Sequence, residues 1–379
     1  MVPAKPMKKL FLSPLLSLAA VGALGASVFV ACSSTTTSTA QDPRPVLAAI
    51  TENVILPTYA SLDRDAEALR VAAAAFSAAP SADGLATVQE AWRKARYSWK
   101  QGDAFRFGPP DVDAIATDLD FWPASPDQIA KVLGDTYEIT PAKIDELGAS
   151  AKGFMGLEYL LFDSQAGNPA VLATFTTAPD AARRRALVSA LASSLRDRAG
   201  KLYALWAPDK GNFAKDFTQG TGMFATPKAA ADRLGNQLVF ASISIESVRM
   251  GKPLGKKNGG TIDPKLEETP RSDNSLRDLQ ASLSSIDAAY RGARDKDGQG
   301  LDDLVRAKST QLDADIVRDL AAAKASLEAV PPPLRTALVS STPKVEEAWT
   351  KNRTLKSTLS TELISALGAT LTFSDADGD

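Results

Sequence analysis

In Tyr59-Ala60-Ser61-Leu62-Asp63-Arg64-Asp65-Ala66-Glu67-Ala68-Leu69-Arg70-Val71-Ala72-Ala73-Ala74-Ala75-Phe76, the positions Tyr59, Leu62, Ala66, Leu69, Ala73 and Phe76 recur at steps of 3, 4, 3, 4 and 3. That rhythm places all six on one face of an α-helix, a face that must be covered by other helices. The same stepping recurs in Leu85, Val88, Trp92, Ala95 and Trp99, and in Leu234, Leu238, Ala241, Ile245 and Val248. Ile316, Leu320, Ala323, Leu327 and Val330 give a fourth stripe. Alanine-rich runs such as 71–75 add helix propensity and allow close approach. Alternating strand patterns are scarce, so the chain is expected to be all-α.

Helix breakers divide it. Pro109, Pro110, Pro123, Pro126 and Pro141 make residues 108–150 an irregular excursion with short helices, and Pro331-Pro332-Pro333 ends a helix sharply. Long helices are expected near 45–78, 83–106, 152–163 and 179–207, then near 228–250, 273–291, 309–330 and 343–367. Two tandem four-helix bundles follow, over residues 45–215 and 216–379. Pro57 should kink the first helix. The stretch from Gly251 to Pro270 reads as too polar for the core, and Arg183-Arg184-Arg185 as a solvated helix face.

The N-terminus is a targeting segment. Lys5, Lys8 and Lys9 precede an apolar run from Leu10 to Val30, which ends at Ala31-Cys32. Ala31 before Cys32 resembles a bacterial lipobox, which implies cleavage after residue 31 and lipidation of Cys32; the alternative reading is an uncleaved signal anchor. Residues 32–44, with the Ser/Thr tract 33–39, read as a flexible polar tether. Ser33 after the cysteine favours the outer membrane, with the body facing the periplasm. Loss of Lys5, Lys8 and Lys9 with the leader takes the formal charge from −2 to −5. A mildly acidic body without a basic run argues against nucleic acid as a partner.

The 379 residues contain no histidine, and Cys32 is the single cysteine. Ser-His-Asp triads, Cys-His pairs and His-rich zinc sites are therefore excluded. Chemistry must come from carboxylates, Lys, Tyr, Ser/Thr, backbone groups or a bound ligand.

Four segments are too particular for generic bundle packing. They are Trp92 to Pro109, Asp118-Leu119-Asp120-Phe121-Trp122-Pro123, Gly153-Phe154-Met155-Gly156-Leu157-Glu158-Tyr159-Leu160-Leu161-Phe162, and the C-terminus from Leu367. In this order they resemble the imelysin family, also known as peptidase family M75, which includes iron-regulated envelope proteins. Gly153, Glu158, Tyr159, Leu160 and Leu161 match the family's Gly-x-His-x-x-Glu segment, with Met155 where its His belongs. Asp103 before Ala104-Phe105 stands where the family usually has Glu. Met250-Gly251-Lys252-Pro253-Leu254-Gly255 and Ser272-x-x-Ser275-Leu276-x-Asp278 resemble its central linker. The resemblance implies two helical bundles with a pocket at their junction, into which the motif helix projects. It also implies iron or another divalent metal as the candidate cofactor.

The residues allow less. Met155 and Glu158 are i and i+3 on a helix and share a face. Glu158 could supply one oxygen ligand, whereas the Met155 thioether suits Fe(III), Zn(II) or Ca(II) poorly. A catalytic zinc takes three protein ligands that normally include His or Cys. Iron on Glu158, Asp103, Asp118, Asp120 or tyrosinate oxygens is the remaining metal reading, while Met155 also fits as a core or pocket-lining thioether. A buried Glu158 needs a partner, for which Arg96 and Arg106 are candidates. Trp122 is placed at the pocket mouth or bundle junction. The pocket candidates are thus Met155, Glu158, Asp103, Arg96, Arg106 and Trp122, with Glu158 as candidate metal ligand. The expected function is that of a membrane-tethered envelope protein binding a small ligand, a metal or an envelope protein, without proteolysis. An M75-type metallopeptidase and a protein-interaction module with a vestigial metal site are the alternatives.

Overall fold

A computed structural model describes residues 41–108 and 110–372, all helix, turn and loop. The leader, Cys32, most of the tether and the C-terminal residues 373–379 lie outside these residues. The first half contains α1 (Arg44–Ile50), α2 (Leu56–Ala78), α3 (Ala82–Lys100), α4 (Pro110–Leu119), α5 (Pro126–Gly134), α6 (Pro141–Asp145), α7 (Gly153–Leu161), α8 (Gly167–Thr176) and α9 (Ala181–Trp206). Then come α10 (Phe213–Gln219), α11 (Pro227–Ile243), α12 (Ser275–Arg291), α13 (Leu301–Arg306), α14 (Thr310–Glu328), α15 (Leu334–Ser340), α16 (Thr342–Thr358) and α17 (Ile364–Leu367).

Local chemistry explains several boundaries. Ser81 caps α3 by accepting a hydrogen bond from the Gly84 N–H, and Thr226 does the same for α11 through Ala229. Pro57, expected to kink the first helix, instead follows a π-helical turn at Thr51–Ile55 that joins α1 to α2. Proline has no N–H and its ring crowds the carbonyl four residues back, so the wider turn absorbs the misfit without ending the helix. The helix expected through residue 106 stops at Lys100, and a 3₁₀ turn at Asp103–Phe105 folds Asp103 back toward α3.

α2 packs along α3 and α9, and α7 crosses α3 and α9. α14 packs on α12 and α16, with α11 against α12 and α16. The two groups meet where α3 lies on α12 and where the Asp103–Phe105 turn seats on α11 and α12. One continuous set of buried apolar side chains runs through both groups. At one end, Trp206 packs against Tyr59, Phe107, Phe213 and Phe217, with ring centroids 4.8–5.9 Å apart.

Two polar segments depart from expectation. Within 251–270, Glu267, Glu268 and Thr269 are buried; the Gly/Lys part from Lys256 to Thr261 and Lys265 are exposed. Arg183 and Arg185 are not a solvated face either. Arg183 donates to the Tyr137 and Val132 carbonyls and Arg185 to the Phe175 carbonyl, so each ties down a carbonyl in the last turn of a neighbouring helix.

Gly153 sets where α7 begins. Its φ is +65°, and a Cβ there would lie 2.4 Å from the carbonyl oxygens of both Asp118 and Leu119. These are backbone atoms and cannot swing aside, so only glycine lets α7 start against the end of α4. Gly153→Ala is expected to lower the unfolding free energy by about 2–4 kcal/mol, read from urea denaturation. An unchanged midpoint would contradict this account of the motif glycine.

Candidate functional site

The last two turns of α3 carry Arg96 and Lys100 on one face, and both side chains are fully buried. Isolated buried cations would cost several kcal/mol each, so carboxylates must meet them. Asp120, just past α4, accepts from Arg96 Nη1 at 2.7 Å, from Lys100 Nζ at 2.7 Å and from Trp99 Nε1 at 2.8 Å. Arg96 Nε donates to Asp278 on α12 at 2.7 Å, and Asn274 also donates to Asp278 at 2.7 Å. Lys100 Nζ reaches Glu268 Oε1 at 2.5 Å, with Arg96 Nη2 3.3 Å from the same oxygen.

A second limb runs through Asp103. It pairs with Arg106 and accepts from Arg249 Nη2 at 2.8 Å and Ser282 Oγ at 2.6 Å. Arg249 stands on the π-helical turn Ser244–Met250 that continues α11, and its Nε lies 3.4 Å from Glu268 Oε2. Four cations (Arg96, Lys100, Arg106 and Arg249) thus face four carboxylates (Asp103, Asp120, Glu268 and Asp278). Burial tends to neutralise Asp103, but Arg106, Arg249 and Lys100 together pull its pKa down to about 2. Asp120 is likewise buried, and Arg96 and Lys100 hold it well below the ordinary carboxylate range. Asp103 and Asp120 therefore stay charged at neutral pH, whereas burial raises the Asp278 carboxyl.

A pocket of about 330 Å³ opens on this network. Lys100, Arg106, Arg249, Asp120 and Glu268 supply its charged wall; Trp122, Val248, Leu266 and Ser244 supply the rest. Arg106 also lies over the Trp99 ring, 4.2 Å from its centroid.

The motif carboxylate sits elsewhere. Glu158 is 4% exposed, and its Oε1 accepts from Ser272 N at 2.9 Å, Ser272 Oγ at 2.7 Å and Arg271 N at 3.2 Å. The expected pairing with Arg96 or Arg106 does not form: Arg96 is spent on Asp120, Asp278 and Glu268, and Arg106 on Asp103. Burial outweighs the three donors and pushes the Glu158 pKa up to about 7. Neighbouring Glu267 has no hydrogen bond to either carboxylate oxygen, and burial pushes it to about 7 as well. Met155 is 1% exposed among core side chains.

Of the residues singled out from sequence, Arg106, Asp120 and Trp122 line the pocket, Arg96 and Asp103 form the ionic layer behind it, and Asp118 lies apart, paired with Lys152 and Arg198. Met155 and Glu158 are not among the pocket's lining residues. Sequence reasoning missed Lys100, Arg249, Glu268 and the role of Asp278. Lys100 had a signal, since Arg96 and Lys100 flank the apolar stripe of Trp92, Ala95 and Trp99 at a spacing of four. Glu268 had none, being 168 residues from Lys100; Asp278 stands out only within the linker resemblance, 182 residues from Arg96.

The donor set does not suit direct coordination of iron or another divalent metal. Glu158 Oε1 already receives three donors, and Asp103, Asp120, Asp278 and Glu268 are held by guanidinium or ammonium groups. Among the described residues no group of three or more Asp, Glu, His or Cys is arranged to hold a metal ion.

The family model for imelysin (peptidase M75) matches residues 55–365. Iron-regulated protein A of Synechococcus elongatus is 27% identical over 328 residues, covering 84% of this chain and 84% of that protein. A solved structure from Parabacteroides distasonis, described as an iron-regulated protein A precursor, superposes with a TM-score of 0.75 at 23% identity. It covers 88% of this chain and 97% of its own. An imelysin-like protein from Psychrobacter arcticum gives a TM-score of 0.68 at 17% identity, over 88% and 98% of the two chains.

Two measurements probe the site's electrostatics. Raised carboxyl pKa values mean that the folded chain holds these protons more tightly than the unfolded chain. The stability they confer is complete below about pH 4.5 and is lost as pH rises through about 7. Asp103 works in the opposite sense, contributing above 3.8 and losing that contribution as pH falls through about 2. Stability should therefore fall between pH 5 and 8, by on the order of 2–3 kcal/mol for Glu158 alone. Glu158→Gln, which keeps the acceptor oxygen, should flatten that limb in a series of melting curves; an unchanged slope would refute the assignment. Asp120→Asn leaves Arg96 and Lys100 underpaired in the interior and should cost about 3–5 kcal/mol in denaturant titration. A loss under about 1 kcal/mol would mean that water already screens the network.

Proposed function

The chain belongs to the imelysin family, and we propose that it is a non-proteolytic binding protein of the bacterial cell envelope, acting in iron-linked uptake. In this reading Cys32 carries the lipid anchor, and residues 32–44 hold the body off the membrane, facing the periplasm from the outer membrane. The ligand occupies the pocket between Arg106, Trp122, Arg249 and Glu268. The observation that carries the proposal is the commitment of the buried carboxylates to cations. A hydrolase of this scaffold needs a metal-activated water beside a general base. Here Glu158 is the available base, yet its oxygen is held by Ser272 and Arg271, and Met155 stands beside it where a metal-binding imidazole would be needed. The name of the Synechococcus relative supports the link to iron. No helix among the described residues is long and apolar enough to cross a membrane, so attachment in this reading falls to the leader and Cys32.

Complementation tests these points together. Cells lacking the chain should accumulate less radioactive iron under iron limitation than cells carrying it. Glu158→Gln, which abolishes general-base action but keeps the hydrogen bonds, should restore accumulation; Cys32→Ser should not. Failure of Glu158→Gln at normal protein levels would revive an enzymatic role. Equal accumulation with and without the chain would remove the iron role.

A further inference from the structure

The chemistry of the pocket wall names a ligand class, an inference that rests on the binding-protein reading above. We propose that the pocket bounded by Lys100, Arg106, Arg249 and Glu268 takes a small hydroxycarboxylate, free or wrapped around ferric iron. Iron in this account arrives inside an anionic chelate and is not gripped directly by protein carboxylates.

The wall has unspent hydrogen-bonding capacity of both kinds. Arg106 Nε is buried with no hydrogen-bond acceptor, and Glu268 Oε2 is buried with no hydrogen-bond donor, Arg249 Nε standing 3.4 Å away as an ion-pair partner only. Asp120, by contrast, has both oxygens taken. Three cationic residues against two carboxylates line the space, so the charge nearest a ligand is positive although the network as a whole is matched by Asp103 and Asp278 behind it. Arg106 spends Nη2 on Asp103 and retains Nε, a geometry suited to a carboxylate. Leaving buried polar groups unmatched is costly, and a ligand matching them recovers that cost.

Glu268 decides what else the ligand must carry. Its Oε2 requires a donor, so sulfate, which at neutral pH offers only acceptors and more negative charge, matches it badly. An ammonium would donate, but it would approach Lys100 Nζ at 2.5 Å, Arg96 Nη2 at 3.3 Å and Arg249 Nε at 3.4 Å from that same carboxylate. A neutral hydroxyl donates without that repulsion. Trp122, Val248 and Leu266 cover a short carbon skeleton, and Lys252 lies 5.3 Å from the Trp122 centroid, adding positive field. At about 330 Å³ the pocket is at the small end of the range for ligand sites. Carboxylate oxygens of the acid are hard donors that suit ferric iron; in the chelate the hydroxyl oxygen also binds the metal and loses its proton, so the free acid is the form whose hydroxyl can donate to Glu268 Oε2.

The test is calorimetric titration of the full chain in detergent with citrate, with tricarballylate (the same acid without its hydroxyl), with ferric citrate and with sulfate. Citrate or ferric citrate should bind, and whichever binds more tightly identifies the source; tricarballylate and sulfate should bind at least about tenfold more weakly. Arg106→Gln should weaken citrate at least about tenfold. Ser244→Phe, which fills the pocket without touching the ionic network, should abolish binding, with a melting curve confirming that each variant folds. Absence of citrate and ferric citrate binding at millimolar concentration, equal affinity for tricarballylate, or parental affinity in folded Ser244→Phe would each overturn the proposal. If the class fails while the chain still supports iron accumulation, the binding-protein reading stands with another ligand. If binding holds and accumulation is indifferent to the chain, the iron role falls instead.

Discussion

Asp120 meets Arg96, Lys100 and Trp99 at 2.7–2.8 Å in the buried wall of the pocket, and the surrounding architecture follows from the need to keep those charges matched. Arg96 and Lys100 cannot stay buried on α3 unless acids come to them from three directions: the end of α4, α12, and the loop ahead of α12. Apolar packing would tolerate sliding of α3 against α12. An ionic lattice does not, because a shift of one helical turn leaves several charges unpaired at several kcal/mol each. In this view the network fixes the register of the two helix groups, and the pocket is the space left where the lattice meets Trp122 and the turn after α11.

The same constraint governs the chemistry. A carboxylate donating to a metal must be free of competing cations, and those behind the pocket are not. The motif helix keeps its glycine for a backbone reason: Gly153 sits at positive φ against the Asp118 and Leu119 carbonyls. It keeps Glu158 as the acceptor that gathers Ser272 and Arg271, so the carboxylate docks the segment leading into α12. With Met155 in the core beside it, this part of the family motif is packed into the architecture and does not line the pocket at the ionic layer.

Much of this was legible from periodicity. The eight long helices stand out in the sequence because their apolar residues repeat every three or four positions, and each is found within a few residues of its expected place apart from the early stop at Lys100. Legibility failed where average composition hid a local exception. Gly251 to Pro270 is polar overall, yet Glu267, Glu268 and Thr269 are interior because Lys100 and Arg249 need an acid there. The partner of Glu158 was misjudged for a related reason: spacing suggests a nearby arginine, while the actual donors are backbone and hydroxyl groups more than 110 residues away. Helical spacing reports neighbours on one helix and carries no information on which distant acid answers a buried base.

The central claim is that iron meets this chain through a ligand in the charged pocket and not through protein carboxylates. An iron-edge anomalous difference map from crystals grown with ferric citrate addresses it directly. The account requires a single iron peak beside Trp122, separated from every protein oxygen by the chelator, with citrate oxygens against Arg106 and Arg249. An iron peak bonded to Glu158, Asp103 or Asp120, with the ion pairs to Arg96, Lys100 and Arg249 broken to admit it, would contradict it.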